Sequence, residues 1–372
     1  MTTDVDRALD VATRIAAFGL LEDVEPVDAR DHDWRRLGST LTTHRLTGLA
    51  WAAAEREALL LTEEQRTDLL DRHKGAMFAA LNIERKLLRT ADGLEQAGIR
   101  PVVLKGPGLA HTLYPDPSWR AFGDLDLLVR TEDWRAACEV LAYSGYRRGL
   151  PEPHAGFDER FGKAAVHRNG DGIELDLHRT LVLGPFGLWL HPDELFEHAV
   201  PFTLGGRTHL RLDDADRLIH ACLHASLGAL PDQLWTVRDV AQAALDPDLD
   251  WSHVEDRAKR WRVGAVVRHA LGRASEMLEV SLPQQADRLR KYNPSRGERR
   301  ALETFLTERR DRGGTALSTL RAIPGLRGKA AYVRALLFPD RDFLHARAHQ
   351  GSYVRRWRTP LRWLAPGRKV RP

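Results

Sequence analysis

Sulfur is scarce in this 372-residue chain, which holds two cysteines, Cys138 and Cys222, and three methionines. No Cys-x-x-Cys pair occurs, so neither a disulfide framework nor a structural zinc site is implied, and a reducing cytoplasm is the expected compartment. Long apolar runs are absent as well: no stretch reaches the roughly 18–20 apolar residues that a membrane-spanning helix needs. The opening residues, MTTDVDRALD, are acidic and lack the basic-then-apolar layout of an export signal. Internal repeats and low-complexity segments are missing too. What is present is ample for a core, with 43% hydrophobic residues and ten tryptophans. The chain is too long for one ordinary core, which predicts two or three domains. Charge is nearly balanced at +4 but unevenly spread. Arg341 to Pro372 carries nine Lys or Arg against one acid, Asp342, so a mildly acidic body ends in a basic tail.

Apolar spacing divides the chain into four parts. Residues 1–98 read as a helical region, with helices near 5–21, 41–60, 63–73 and 75–98. In the last of these, Phe78, Leu81, Ile83, Leu87, Leu88 and Leu94 recur at three-to-four spacing. Residues 99–212 read as an α/β core. Strands are predicted at 99–104, 124–129, 163–168 and 173–178, with a hairpin turn at 169–172 and a second centred on Gly205-Gly206. A short helix is expected near 109–114 and another from Thr131, its N-cap, to Ser144. Residues 213–340 turn helical again at 215–227, 234–245, 251–261, 263–280, 299–311 and 329–337, with a polar linker at 283–300. The basic tail spans 341–372.

The chemistry concentrates in the core. Asp124 and Asp126 lie two apart within GDLDLLVR, so on a strand they share one face while Leu125, Leu127 and Val129 take the other. Glu174, Asp176 and His178 alternate in the same way with Ile173, Leu175 and Leu177. If the two strands are neighbours, several acids and an imidazole converge on one surface. They stay ionised there only if cations or hydrogen bonds compensate them. Hard oxygen ligands of this kind favour Mg²⁺ or Mn²⁺ with phosphate oxygens completing the shell. The plain alternative is a solvated sheet face paired with arginines.

These segments resemble the nucleotidyltransferase superfamily of the DNA polymerase β type: a glycine turn opening a short helix, an acidic pair on the next strand, and a third carboxylate on a later one. VVLKG, YPDPSWRAFGDLDLLV, ELDLH, LIHACLHAS and VRDVAQAAL are further similar to bacterial nucleotidyltransferase-family proteins encoded near peptide-modification clusters. The resemblance implies an α+β protein, a polymerase-β-type core flanked by N- and C-terminal helical domains. It implies two metal ions held by Asp124, Asp126 and Asp176, an NTP co-substrate, and transfer of NMP to a hydroxyl with release of pyrophosphate. The acceptor it suggests is a peptide or small molecule, with tRNA also compatible. Kinase-like γ-phosphoryl transfer and a non-catalytic peptide- or nucleic-acid-binding role are the alternatives. One departure is Lys105-Gly106-Pro107-Gly108, where the superfamily usually has Gly-Ser or Gly-Gly.

Lys105 would supply phosphate charge in place of that serine, or would be an ordinary surface lysine after a strand; Gly106 would allow close approach of the triphosphate, and the following helix start would present free N–H groups. Arg120 is read either as a phosphate ligand or as a partner of the acidic pair. Glu174 rivals Asp176 as third carboxylate. His178 would contact substrate or orient Asp176, or would be a hydrogen-bonded strand-end histidine. His220 and His224 share a helix face without a His-Glu-x-x-His pattern, which favours packing over zinc. His224 and Asp239 are suggested as acceptor-pocket residues. Trp357 and Trp363 among Arg355, Arg356, Arg358 and Arg362 suit an anionic partner, or a solvated terminus.

Overall fold

Period-two patterning in the middle of the chain produces a seven-stranded mixed sheet, seen in a computed structural model that describes residues 4–21, 25–228, 233–307 and 312–347. Two short strands precede it, β1 (Val27–Asp28) and β2 (Leu59–Leu60), paired in parallel. The main sheet holds β3 (Val102–Val103), β4 (Asp124–Leu128), β5 (Arg147–Arg148), β6 (Ala164–Arg168), β7 (Glu174–His178), β8 (Val200–Leu204) and β9 (Arg207–Arg211). Their order is β5-β6-β7-β4-β3-β9-β8. β4 runs parallel to β7 and antiparallel to β3, so the acidic strand sits at the centre of the sheet.

Both faces are covered. Leu125, Leu127, Leu175 and Leu177 point into a core shared with Ile83, Leu87 and Leu94 of the helix Glu63–Gln96 and with Trp134 and Leu141 of the helix Trp134–Tyr143. The opposite, acid-bearing face carries Leu128, which joins Val102 and Leu104 in a larger core. That core is filled by Leu41 and Leu49 from the N-terminal helices and Leu218, Leu223, Val240 and Val267 from the C-terminal ones. Arg238 ties the two helical regions together, donating to the carbonyls of Ala16 (2.8 Å) and Phe18 (2.6 Å). No described helix is long and apolar enough to cross a membrane.

Several local expectations shift. The helix expected at 41–60 is two helices, Trp34–Thr43 and Thr47–Glu55, separated at Arg45, whose φ of +51° no helix accommodates. The two expected at 63–73 and 75–98 are one, Glu63–Gln96, opened by a Thr62–Gln65 capping box and running through Gly75. Phe78 and Leu81 on it are 70% and 59% exposed, so of the expected apolar stripe these two lie outside the core that Ile83, Leu87 and Leu94 enter. The strand expected at 99–104 contracts to Val102–Val103 after Pro101, which has no N–H for a ladder. The linker expected at 283–300 contains a 3₁₀ turn, Gln284–Ala286, a helical turn, Asp287–Arg290, and the start of Arg296–Thr307, with Ala286 and Leu289 buried. Helices at Phe157–Phe161, Gly184–Trp189, Pro192–Glu197, Arg312–Ala322 and Arg341–Ala346 were not expected. The tryptophan- and arginine-rich part of the tail lies outside the described residues.

Gly48 fixes how the N-terminal helices meet the core. A Cβ built there would lie 1.9 Å from the Ser118 carbonyl oxygen, in the 3₁₀ turn Pro117–Trp119 just before Arg120. Gly48→Ala is therefore expected to cost about 1–3 kcal/mol through overpacking against backbone that has no slack. Gly75→Ala meets nothing within 4 Å and is expected to stabilise by up to about 1 kcal/mol. Urea unfolding of the two variants checks both signs.

Candidate active site

The register of β4 on β7 sets Asp126 opposite Asp176, Asp124 opposite Glu174, and Leu128 opposite His178. Asp124, Asp126, Glu174, Asp176 and His178 thus share one face. The acids differ sharply along it. Asp126 is 2% exposed, whereas the Asp124 side chain at the strand end is 37% exposed and faces Arg45 at 3.8 Å. Glu174 is held by Arg168, whose Nε donates at 2.8 Å.

The turn after β3 reaches Asp126 because the Leu104 amide donates to the Asp126 carbonyl at 3.1 Å. This places the Lys105 Nζ 3.0 Å from Asp126 Oδ1. Gly106 follows with φ +55° and ψ −118°, a conformation open to glycine alone. The helix after it is a single turn, Pro107–Ala110, earlier and shorter than expected, and its first residue has no N–H to present.

His178 Nε2 lies 2.8 Å from the same oxygen, Asp126 Oδ1. A carboxylate accepts there, so Nε2 carries the proton and the ring is fixed. Burial pushes the Asp126 carboxyl up, but Lys105 and His178 hold it well below the usual carboxylate range. Burial also lowers His178, more than its bond to Asp126 raises it. Lys105 is pushed down by burial and more than restored by Asp126 and Asp124. The centre is thus an anionic Asp126 between a charged lysine and a neutral histidine. Asp176 stands apart: burial raises its carboxyl, and Asp126 raises it further against the relief from His178.

Two oxygens at this centre, Asp126 Oδ2 and Asp176 Oδ1, are buried and accept no hydrogen bond. Oxygen atoms buried without a donor are costly unless something else satisfies them. Donor atoms of Asp126, Asp176 and His178 lie within 4.8 Å of one another. This acid-rich set fits a hard divalent cation. Among the described residues one other such group exists, His198, Asp213 and Asp216, and there Arg257 already sits 2.6 Å from Asp213 and 2.8 Å from Asp216.

Arg120 is paired with a residue of the helix Leu234–Ala244. It forms a two-point ion pair with Asp239, at 2.9 and 2.8 Å, and the Tyr114 hydroxyl donates to Asp239 at 2.7 Å. One guanidinium nitrogen, Nη1, is buried and unpaired. His224 packs on the Trp235 ring at 5.1 Å, and burial then Lys105 push both His220 and His224 well down, so neither adds charge. Lys105, Leu109, Arg217, His220, His224 and Asp239 line a cavity of about 10 Å³, room for a single water. The exposed rim of the acid-bearing face is the end of β4, where Asp124 and Arg45 are 37% and 33% exposed.

Two site residues escaped the sequence. Lys163, at the start of β6, is lowered by burial and then by Lys105, against the pull of Asp126 and Asp176. Its ammonium has no ion pair or hydrogen bond among the described residues. Arg45 reaches in from the N-terminal region and lies over the Trp235 ring at 4.8 Å. Lys163 looked like a strand's first residue and Arg45 like a helix-surface arginine, so neither carried a signal.

Removing one partner of the buried Arg120–Asp239 pair leaves a stranded charge. Asp239→Ala is expected to destabilise by about 3–5 kcal/mol, read from chemical denaturation, with Arg120→Met,Asp239→Leu recovering much of the loss. A cost below about 1 kcal/mol for the single variant would mean the pair is not buried as described.

A solved structure of an antigenic nucleotidyltransferase-like protein from Paracoccidioides brasiliensis is 16% identical to this chain, with 55% of this chain and 94% of that chain covered and a TM-score of 0.33. No curated protein matches the chain. The family model described as "Uncharacterised nucleotidyltransferase" matches residues 30–279, well over half of the sequence, and the chain belongs to that family.

Proposed function

We propose that this protein is a metal-dependent nucleotidyltransferase of the cytoplasm, moving NMP from an NTP to an acceptor hydroxyl. The acceptor is a peptide or a small molecule, with tRNA as a further candidate. One observation carries the reading beyond family membership: Asp126 and Asp176 are register neighbours that each keep a buried, unpaired oxygen. Asp126 and Asp176 would hold Mg²⁺ or Mn²⁺, with Asp124 at the exposed rim. When bound, such an ion neutralises charge building up on the phosphate oxygens and the acceptor oxygen.

The remaining work falls to the chain's own residues. Lys105, Lys163 and Arg45 supply cations toward the triphosphate, and Gly106 keeps the turn free of side-chain bulk. Arg120 offers its unpaired Nη1 to a phosphate while Asp239 holds its other nitrogens. His178 fixes Asp126 in place. In the transfer, the acceptor oxygen bonds to the α-phosphorus, the α–β anhydride bond breaks, and pyrophosphate leaves. Asp176 accepts the acceptor's proton, a task suited to a carboxyl already raised by its surroundings. Positioning and charge neutralisation supply most of the acceleration.

Thermal unfolding with each NTP, with and without Mg²⁺, tests this without knowledge of the acceptor. A ligand at about 100 times its Kd stabilises the folded state by about 2.7 kcal/mol. A Mg²⁺-dependent rise with at least one NTP, lost in Asp126→Asn, is expected. No rise with any NTP would refute the reading and favour a non-catalytic binding role. With lysate as acceptor source, label is expected to transfer from the α-labelled and not the γ-labelled nucleotide. The reverse pattern would make the protein a kinase.

A further inference from the structure

Building on the nucleotidyltransferase reading of the site, we propose that it takes a single divalent cation, the Lys105 ammonium standing where the second ion of a two-ion pair would sit. A two-ion clamp sets its metals roughly 3.5–4 Å apart and needs a carboxylate that bridges them, one oxygen to each. Asp126, central on β4 and opposite Asp176, is the residue placed to bridge. Its two oxygens are not equivalent. Oδ1 already receives Lys105 Nζ at 3.0 Å and His178 Nε2 at 2.8 Å, which fills both of its lone-pair positions. Only Oδ2 is left, and the unpaired Oδ1 of Asp176 is its counterpart. One seat remains.

Neither donor on Oδ1 is free to leave. The His178 ring is completely buried, at 0% exposure, so it has no solvent to swing into. Lys105 is held by its backbone: the Leu104 amide before it bonds to Asp126, and its own carbonyl accepts from the Gly108 amide at 3.2 Å. Its side chain is 11% exposed. Asp124, the remaining ligand a second ion would need, is outside the group of donor atoms that lie within 4.8 Å and faces Arg45 instead. An ammonium has three N–H donors, so Lys105 can hold Asp126 and still point a proton at a phosphate oxygen. That is the second ion's bridging task, done by a covalently attached cation. It also explains the departure in sequence, since a lysine replaces the small residue at the turn.

The test counts metal directly. Full-length protein is brought to equilibrium dialysis with Mn²⁺ and the non-hydrolysable α,β-methylene analogue of each NTP, and retained Mn²⁺ and nucleotide are both measured. The wild type is expected to hold one Mn²⁺ per bound nucleotide, and Lys105→Met two, as Asp126 Oδ1 opens. Lys105→Arg, which keeps a cation there, is expected to stay at one. Two ions per nucleotide in the wild type would overturn the proposal while leaving nucleotidyl transfer intact, and so would Lys105→Met remaining at one. If no analogue is retained, the functional reading itself fails and the proposal with it. Should Lys105→Met not fold, the wild-type ratio still decides.

Discussion

A carboxylate buried at the centre of a sheet is the constraint on which this structure turns. Asp126 loses nearly all contact with water, and an uncompensated charge there would be expelled or neutralised. Compensation comes from two sides: Lys105 from the turn after β3, and His178 from the end of β7. Each is delivered by a strand register. β3 against β4 brings the lysine, and β7 beside β4 brings the histidine together with Asp176. A slip of one residue in either pairing would turn these side chains to the opposite, apolar face. Sheet register and site chemistry are therefore the same specification.

The helical regions complete the site as well as cover it. The acid-bearing face is roofed by helices from both ends of the chain, which share one core and are joined by Arg238. The roof contributes Asp239, whose pairing with Arg120 and Tyr114 fixes the loop leading into β4. It also contributes Trp235, against which both Arg45 and Arg120 rest. Arg45 owes its position to a break between two helices at a left-handed residue. The N-terminal region thereby places a cation at the exposed rim of the site, beside Asp124.

Much of this was legible in the sequence because alternation is a strong code. The parity of Asp124 with Asp126, and of Glu174 with Asp176 and His178, placed all five on one face once the strands were neighbours. The Lys-Gly turn and the later hairpins were legible for the same reason, being punctuated by glycine. What escaped depends on contacts distant in sequence. Nothing local distinguishes Lys163 from a surface lysine, or marks Arg45 as the end of a helix. Arg120 was weighed between phosphate and the acidic pair, and its actual partner, Asp239, lies on a helix far along the chain. Phe78 and Leu81 fit a helical apolar stripe yet face solvent, since period alone does not say which stripe is covered.

Whether the unpaired oxygens of Asp126 and Asp176 hold a metal is read from the position of a bound ion. A crystal of the protein soaked with Mn²⁺ and a non-hydrolysable NTP analogue, with data collected at the manganese absorption edge, locates it by anomalous scattering. A peak is expected between Asp126 Oδ2 and Asp176 Oδ1, with Lys105 and His178 still on Asp126 Oδ1. A peak elsewhere, or nucleotide bound with both of these oxygens still unoccupied, would contradict it.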